Sequence, residues 1–210
     1  EPRDPLLAVD QVAVAGATQT GVPAVQTAAG IADGRPLVSV DEAAAQARVE
    51  ALPWVASAQV TSQWPRTVRI RVTERVPVAV AGEGPAAVLV DRTGQALGPA
   101  GDVELPVVLT ERVPEPGQLL APQSRGAVAV VAALPPALAE QVATVERHTN
   151  SLVITLDDGI EVELGDQTRL KAKSDAALAL LEQADRPTIA TIDVSVPGTA
   201  ALTRSEAEGA

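Results

Sequence analysis

The sequence predicts an α+β protein in which a unit of order β-α-α-β-β precedes a mixed β-sheet unit with helices on one face. Its 210 residues are enough for one or two domains with their own cores. Short runs of alternating apolar and polar residues, typical of half-buried strands, recur between Gly and Pro turns. Because Phe, Tyr, Met and Cys are absent and only two Trp occur, aliphatic residues must form the core.

The first unit is predicted over residues 9–74. Its elements are a strand over 9–15, a helix between Gly21 and Gly30, a helix over 42–52, and strands over 55–62 and 67–74. Ser39 or Asp41 can cap the second helix, and Pro53 stops it. The apolar face predicted for this helix consists of Ala44, Ala47, Val49 and Leu52.

The last two strands of this unit are predicted to form a hairpin with one buried face. The residues expected to point inward are Ala56, Ala58, Val60, Val68, Ile70 and Val72. Trp64 and Pro65 mark the turn between the strands. Trp54 and Trp64 suit either exposed anchors or packing in the core or hinge, and packing is favoured in a chain so poor in aromatic residues.

The second unit is predicted to contain short strands separated by Gly and Pro turns. Its elements are strands over 78–81, 87–91 and 106–109, a helix over 124–134, a hairpin of 152–156 with 160–164, a helix over 168–184, and strands over 188–196 and 199–202. Asp91–Gly94 and Asp157–Gly159 are typical hairpin turns, and Gly98–Gly101 is interpreted as a turn. The final short strand has to lie at an edge of the sheet.

Composition also limits the possible functions. A net charge of −11 disfavours nucleic acid and anionic lipid as main partners, so a protein partner is expected. The longest apolar run, Ala127–Ala139, is too short to span a bilayer. Since the chain begins with Glu1 and not with Met, it is expected to be a fragment whose signal or anchor precedes it.

Catalytic and metal sites are not predicted. Ser124 or Ser151 could form a triad with His148 and Asp157, but neither serine lies in a nucleophile elbow. Asp157 and Asp158 could bind calcium, yet the spaced ligands of a calcium loop are missing, so a hairpin turn is the better interpretation. No cofactor motif is present.

Several segments resemble the FtsQ/DivIB family of cell-division proteins, and the β-α-α-β-β order resembles a POTRA domain. The segments that carry the resemblance are Leu52–Val55, Trp64–Val72, Thr73–Ala79, Val90–Gly94, Asp158–Gly159, Leu164–Gly165, Leu170–Lys171 and Ile192–Ser195. The resemblance covers residues 9–202 and implies a membrane-proximal linker over 1–8, a POTRA domain over 9–77, a β domain over 78–203 and a polar tail over 204–210.

This resemblance implies a non-enzymatic scaffold at the division septum, anchored in the cell membrane by one helix outside this fragment, with this region on the extracytoplasmic face. The implied partners are small membrane-anchored coiled-coil division proteins of the FtsB/FtsL kind, followed by proteins of septal peptidoglycan synthesis. The alternative is a POTRA-containing component of secretion or outer-membrane assembly, which would use a strand edge to handle polypeptides.

The predicted binding site is the last strand of the β domain. An unpaired strand offers backbone N–H and C=O groups that a partner strand can satisfy. The residues assigned to this site are Val194, Val196, Thr199, Ala200, Ala201, Leu202 and Arg186. A secondary patch for an acidic partner or anionic headgroups is assigned to Arg66, Arg69, Arg71 and Arg75. Such a stripe is also typical of the solvated face of an amphipathic strand.

Overall fold

The computed structural model describes residues 8–148, 151–184, 186–196 and 198–204. The chain divides into two compact units between Val76 and Pro77. Most of the linker expected over 1–8, and the end of the tail from residue 205, lie outside the described residues.

The first unit is a three-stranded sheet covered by two helices. Its elements are β1 (Gln11–Ala15), α1 (Val22–Ala29), α2 (Glu42–Glu50), β2 (Val55–Gln63) and β3 (Thr67–Glu74), with a short 3-10 helix at Leu37–Ser39. Strand β3 is central, parallel to β1 and antiparallel to β2. This is the predicted β-α-α-β-β order.

Helix α2 begins as expected but buries a different face. The Asp41 carboxylate accepts a hydrogen bond from the Ala44 N–H at 3.0 Å, which is the expected cap. The buried positions are Ala45 and Val49, one helical turn apart, while Ala47 is exposed. Because alanines occur on several sides of this helix, its sequence does not distinguish one apolar face from another. The apolar face predicted from the sequence was therefore wrong at Ala44 and Ala47.

The β2–β3 hairpin follows the prediction except at two positions. Val68, Ile70 and Val72 are buried on the inner face of β3. Ala56 is exposed because the pairing of β2 shifts between Val55 and Ser57, and this bulge leaves Ala56 outside the alternation. Trp64 is 64% exposed at the turn, so its predicted packing was wrong.

The second unit is a nine-stranded mixed sheet with two main helices. Its strands are β4 (Pro77–Ala81), β5 (Val88–Asp91), β6 (Ala96–Pro99), β7 (Val107–Val108), β8 (Val142–His148), β9 (Ser151–Leu156), β10 (Glu161–Gly165), β11 (Ile189–Val196) and β12 (Thr199–Arg204). Its helices are α3 (Pro122–Ala133), the single-turn α4 (Pro136–Ala139) and α5 (Leu170–Gln183). The strand order is β12-β11-β10-β9-β8-β7-β4-β5-β6.

Two strands of this sheet were missing from the sequence prediction. Strand β6 contains Gly98 and Pro99, which indicate a turn, but a strand at the margin of a sheet tolerates both. In β8 the buried residues are Val142 and Val145, because the pairing shifts between Val142 and Thr144 and breaks the alternation of two. Alternation cannot identify a strand that contains a bulge.

The best-predicted part of the sheet is the β9–β10 hairpin. The alternate apolar residues of the two predicted strands are all at most 2% exposed: Leu152, Ile154, Leu156, Ile160, Val162 and Leu164. Helices α3 and α5 supply Val128, Val131, Ala177 and Leu181 to the same core. In the described part of the chain, no helix has the length and apolar character that crossing a bilayer requires.

Candidate partner-binding edge

Strand β12 ends the nine-stranded sheet. It runs antiparallel to β11, with Leu202 opposite Ile192 and Ala201 opposite Asp193. The strand continues to Arg204, two residues beyond the predicted end and into the segment expected to be a polar tail. Within the described residues, no backbone group pairs with its other side. Its outer N–H and C=O groups therefore face away from the rest of the sheet.

The side chains of β12 are small and accessible. Thr199, Ala200 and Ala201 are exposed, whereas Leu202 is half-buried against the core beneath α5. Val196, at the end of β11, is 60% exposed. Val194 is only 1% exposed and points into the core, so its predicted contact with a partner was wrong. Alternation decides this, because Ile192 and Val194 share the buried face of β11.

Arg186 is held by the protein itself. Its guanidinium donates to the Asp158 carboxylate at 2.9 Å and to the Gln141 side-chain oxygen at 2.8 Å. Asp158 also accepts the Ile160 N–H in the β9–β10 turn. Arg186 therefore ties the start of β11 to this turn, and contact with a partner would compete with those bonds.

Helix α5 is attached behind the edge by a buried lysine that sequence reasoning missed. The Lys173 side chain is 0% exposed, and its amino group donates to the Asp166 carboxylate at 2.7 Å and to the Asp166 carbonyl at 2.9 Å. This bond, with the hydrogen bonds from Thr168, lowers the pKa of Asp166 from 3.8 to about 2. The spacing of Lys173, Ala177 and Leu181 by four residues placed the lysine on the apolar stripe and could have revealed it.

The four arginines of the secondary patch lie within β3 and directly before and after it. Arg69 and Arg71 share the outer face of β3, opposite Ala13 and Ala15 of β1. Arg66 lies before the strand and donates to the Ala8 carbonyl at 3.3 Å, while Arg75 follows the strand. A patch that includes all four arginines stays a prediction, because alternation of side chains places only Arg69 and Arg71 on one face within the strand.

Glu74, at the end of β3, holds the loop before α1. Its carboxylate accepts the backbone N–H groups of Gln19 at 2.9 Å and Thr20 at 2.7 Å. Burial acts to raise the pKa of Glu74, but these hydrogen bonds outweigh it and the net pKa is lowered. The family-like exit segment thus has a structural role at this residue.

The structure does not bring the residues considered for a catalytic triad together. His148 and Ser151 are opposite each other at one end of the β8–β9 hairpin, and Asp157 follows the other end, about 20 Å away at the rise of a strand. The Ser124 hydroxyl bonds to that of Thr110. The interpretation of Asp157–Gly159 as a hairpin turn is confirmed. The guanidinium of Arg186 contacts the Asp158 carboxylate, which a calcium ion at this turn would need as a ligand.

Two family models match the two units. The one described as POTRA domain, FtsQ-type, matches residues 7–75. The one described as cell division protein FtsQ/DivIB, C-terminal, matches residues 79–195.

Curated relatives match most of the chain. The cell division protein FtsQ of Mycobacteroides abscessus is 36% identical over 198 residues, which are 92% of this chain and 60% of that protein. The protein of the same name from Mycolicibacterium smegmatis is 36% identical over 196 residues, 92% of this chain and 56% of its own length. That of Streptomyces bingchenggensis is 33% identical over 206 residues, 95% of this chain and 77% of its length.

The chain thus spans 60% or less of the two mycobacterial relatives. The matched regions nevertheless cover both units, in the order that the fold shows. On these grounds the chain belongs to the FtsQ/DivIB family of cell-division proteins.

Proposed function

We propose that this chain is the extracytoplasmic part of a membrane-anchored scaffold of the division septum, and that it acts by binding other division proteins and not by catalysis. Family membership supports the role in division. The chain's own contribution is a protein-binding surface, in keeping with its net charge of −11, which disfavours nucleic acid.

The single observation that carries this proposal is the unpaired outer side of β12. A partner segment that adds there as a tenth strand gains backbone hydrogen bonds without needing large anchoring side chains. That suits a strand whose exposed residues are Thr and Ala. Thr199, Ala200, Ala201 and Leu202 supply the edge, and Val196 supplies apolar surface beside it.

The partners that the family implies are membrane-anchored coiled-coil division proteins of the FtsB/FtsL kind. A short segment of such a protein can extend and pair with β12. Proteins of septal peptidoglycan synthesis are a second class. A role in secretion or outer-membrane assembly has less support, since both matching family models describe cell-division proteins.

The test measures binding of the soluble part of such a partner to two proline variants. Ala200→Pro and Ala201→Pro each remove one backbone N–H from β12. Successive residues of a strand direct their N–H groups to opposite sides. One variant therefore loses a bond to β11 and stability, and the other loses only an outer N–H. We expect the second variant to keep its stability and bind about tenfold more weakly.

Two controls make the result decisive. Glu104→Pro, at an exposed position between β6 and β7, tests for a general effect of proline. Removal of residues 198–210 deletes β12, and a folded protein of this length should no longer bind. If the proline variant with parental stability binds as tightly as the parent, strand addition at β12 is refuted.

A further inference from the structure

The sheet face opposite the helices carries an acidic row that leads to the open edge. Register places Ala201 of β12 beside Asp193 of β11, and Asp193 beside Glu163 of β10. Laterally paired residues point to the same face, and Leu202 with Ile192 define the helix-covered one. The three residues therefore lie in a line across the outer face.

A second row runs next to the first. Thr203 is opposite Thr191, and Thr191 is beside Glu161. Glu161 and Glu163 are exposed, and Asp193 is half-buried. Three carboxylates thus lie on the two strands behind β12, and the residues between them and the edge are small.

These carboxylates have no cationic partner in the part of the chain that the structure describes. The ion pairs of the second unit involve other residues, and the one bond to the Asp193 carboxylate comes from the Ser195 N–H at 2.8 Å. Glu163 and Asp193 are lateral neighbours at about 5 Å, where like charges repel. A cation brought to this face would reduce that repulsion.

We propose that the segment that adds to β12 is a basic strand, with Lys or Arg at the alternate positions that face the outer side. This rests on the proposed strand addition. An added strand lies about 10 Å from β11, two strand spacings away. A long basic side chain on it crosses the small Ala201 and approaches Asp193, with Glu163 behind. Short or acidic residues at these positions forgo that contact.

The other face of the added strand has a different requirement. It borders Leu202, which is half-buried against the core, so apolar residues suit it. The expected segment therefore alternates basic and apolar residues. The net charge of −11 also speeds the approach of a basic partner.

The test uses three labelled peptides of about eight residues, which lies within the usual range of strand lengths. All share Val and Thr on one face, and they carry Lys, Ser or Glu at every position of the other. Fluorescence anisotropy measures their binding to the 210-residue chain in about 0.1 M salt, where charges interact over about 10 Å. We expect the Lys peptide to bind most tightly and the Glu peptide least tightly.

Variants identify the carboxylates responsible. Asp193→Asn and Glu163→Gln should each weaken binding of the Lys peptide by about two- to fivefold and leave the Ser peptide unchanged. Glu182→Gln makes the same charge change on the exposed side of α5 and should have no effect. The proline variant that removes an outer N–H of β12 should weaken the binding of every peptide that binds the parent protein.

The outcomes separate this inference from the proposed function. If the Ser peptide binds as tightly as the Lys peptide and both need β12, strand addition stands and the basic partner is refuted. If Glu182→Gln weakens the Lys peptide as much as Asp193→Asn does, general charge attraction explains the preference and the inference fails. If neither the peptides nor the partner protein binds, both proposals fail.

Discussion

The two margins of the nine-stranded sheet are built differently. At the closed margin, β6 is short and buried, and segment 117–120 covers it: the Ala96 N–H bonds to the Gln118 carbonyl at 2.9 Å, and the Gly117 N–H bonds to the Ala96 carbonyl at 2.7 Å. At the open margin, β12 has six residues that are exposed or half-buried. No described residue covers its outer side.

Within the described residues, the sheet is covered at one margin and left open at the other. Edge strands are usually shortened, covered or charged, because they pair with foreign chains. The closed margin follows this rule, with Pro99 ending a four-residue strand. The open margin does not follow it, which agrees with the proposed addition of a partner strand at β12.

The largest effect is expected for Leu97→Ala at the closed margin. Leu97 is 2% exposed, so removing its side chain should lower the free energy of unfolding by about 2–4 kcal/mol. Leu202→Ala at the open margin should cost about 1 kcal/mol, since its side chain is half-buried. Denaturant unfolding followed by circular dichroism measures both, since Trp54 and Trp64 lie in the first unit and the second unit has no tryptophan. Equal losses would contradict the distinction between the margins.

Asp91→Ala is expected to have the next largest effect. The buried Asp91 carboxylate accepts bonds from the Thr93 N–H at 2.8 Å and the Gln95 N–H at 3.0 Å, which order the turn into β6. Its loss should lower the free energy of unfolding by about 1–3 kcal/mol. Asp102→Ala, in an exposed loop of the same unit, is the control. An unchanged denaturation midpoint would show that this turn does not support the closed margin.

Asp166→Asn tests whether the bond between Asp166 and Lys173, behind the open margin, stabilises the fold, and the test follows stability as a function of pH. Because the pKa of Asp166 is about 2 in the folded chain and 3.8 otherwise, its contribution is present above about pH 4 and is lost as pH falls toward 2. The variant should be less stable at neutral pH and lose this part of the acid dependence. Asp175→Asn, whose partner Lys171 is on the surface, is the matched control. Parallel pH profiles of parent and Asp166→Asn would contradict the role of Lys173.

The smallest effect is expected for Glu163→Gln without any partner. Removing one of two adjacent carboxylates should raise the free energy of unfolding by a few tenths of a kcal/mol. The same variant should weaken the binding of a basic strand, so the stability of the fold and the affinity for the strand change in opposite directions. Glu182→Gln should leave both unchanged. A loss of stability in Glu163→Gln would show that Glu163 has a structural role.

Local patterns predicted most elements of the fold. Alternation located the β9–β10 hairpin with its correct faces, and capping signals located the start of α2. Alternation failed where a bulge shifts it, at Ala56 and in β8. It also failed for β6, whose Gly98 and Pro99 indicate a turn unless the strand is known to lie at a margin.

The edge position of the final strand was predicted from the sequence, whereas its role in binding stays a prediction. The final strand after Pro197 was expected at an edge, and β12 is at an edge. Val194 was assigned to contact with a partner although its alternation with Ile192 places it inside. The acidic row escaped notice because Glu163 and Asp193 are far apart in sequence and meet only through the parallel pairing of β10 with β11.

The aliphatic core, the acidic charge, most elements and the family could be predicted from the sequence, because they depend on composition, local periodicity and short motifs. The neighbours of each strand, the covered margin, the burial of Lys173 and the approach of three carboxylates to the open edge became visible only in the folded chain. Strand pairing joins distant segments through backbone hydrogen bonds, which every residue except proline can form and which therefore leave little trace in the sequence.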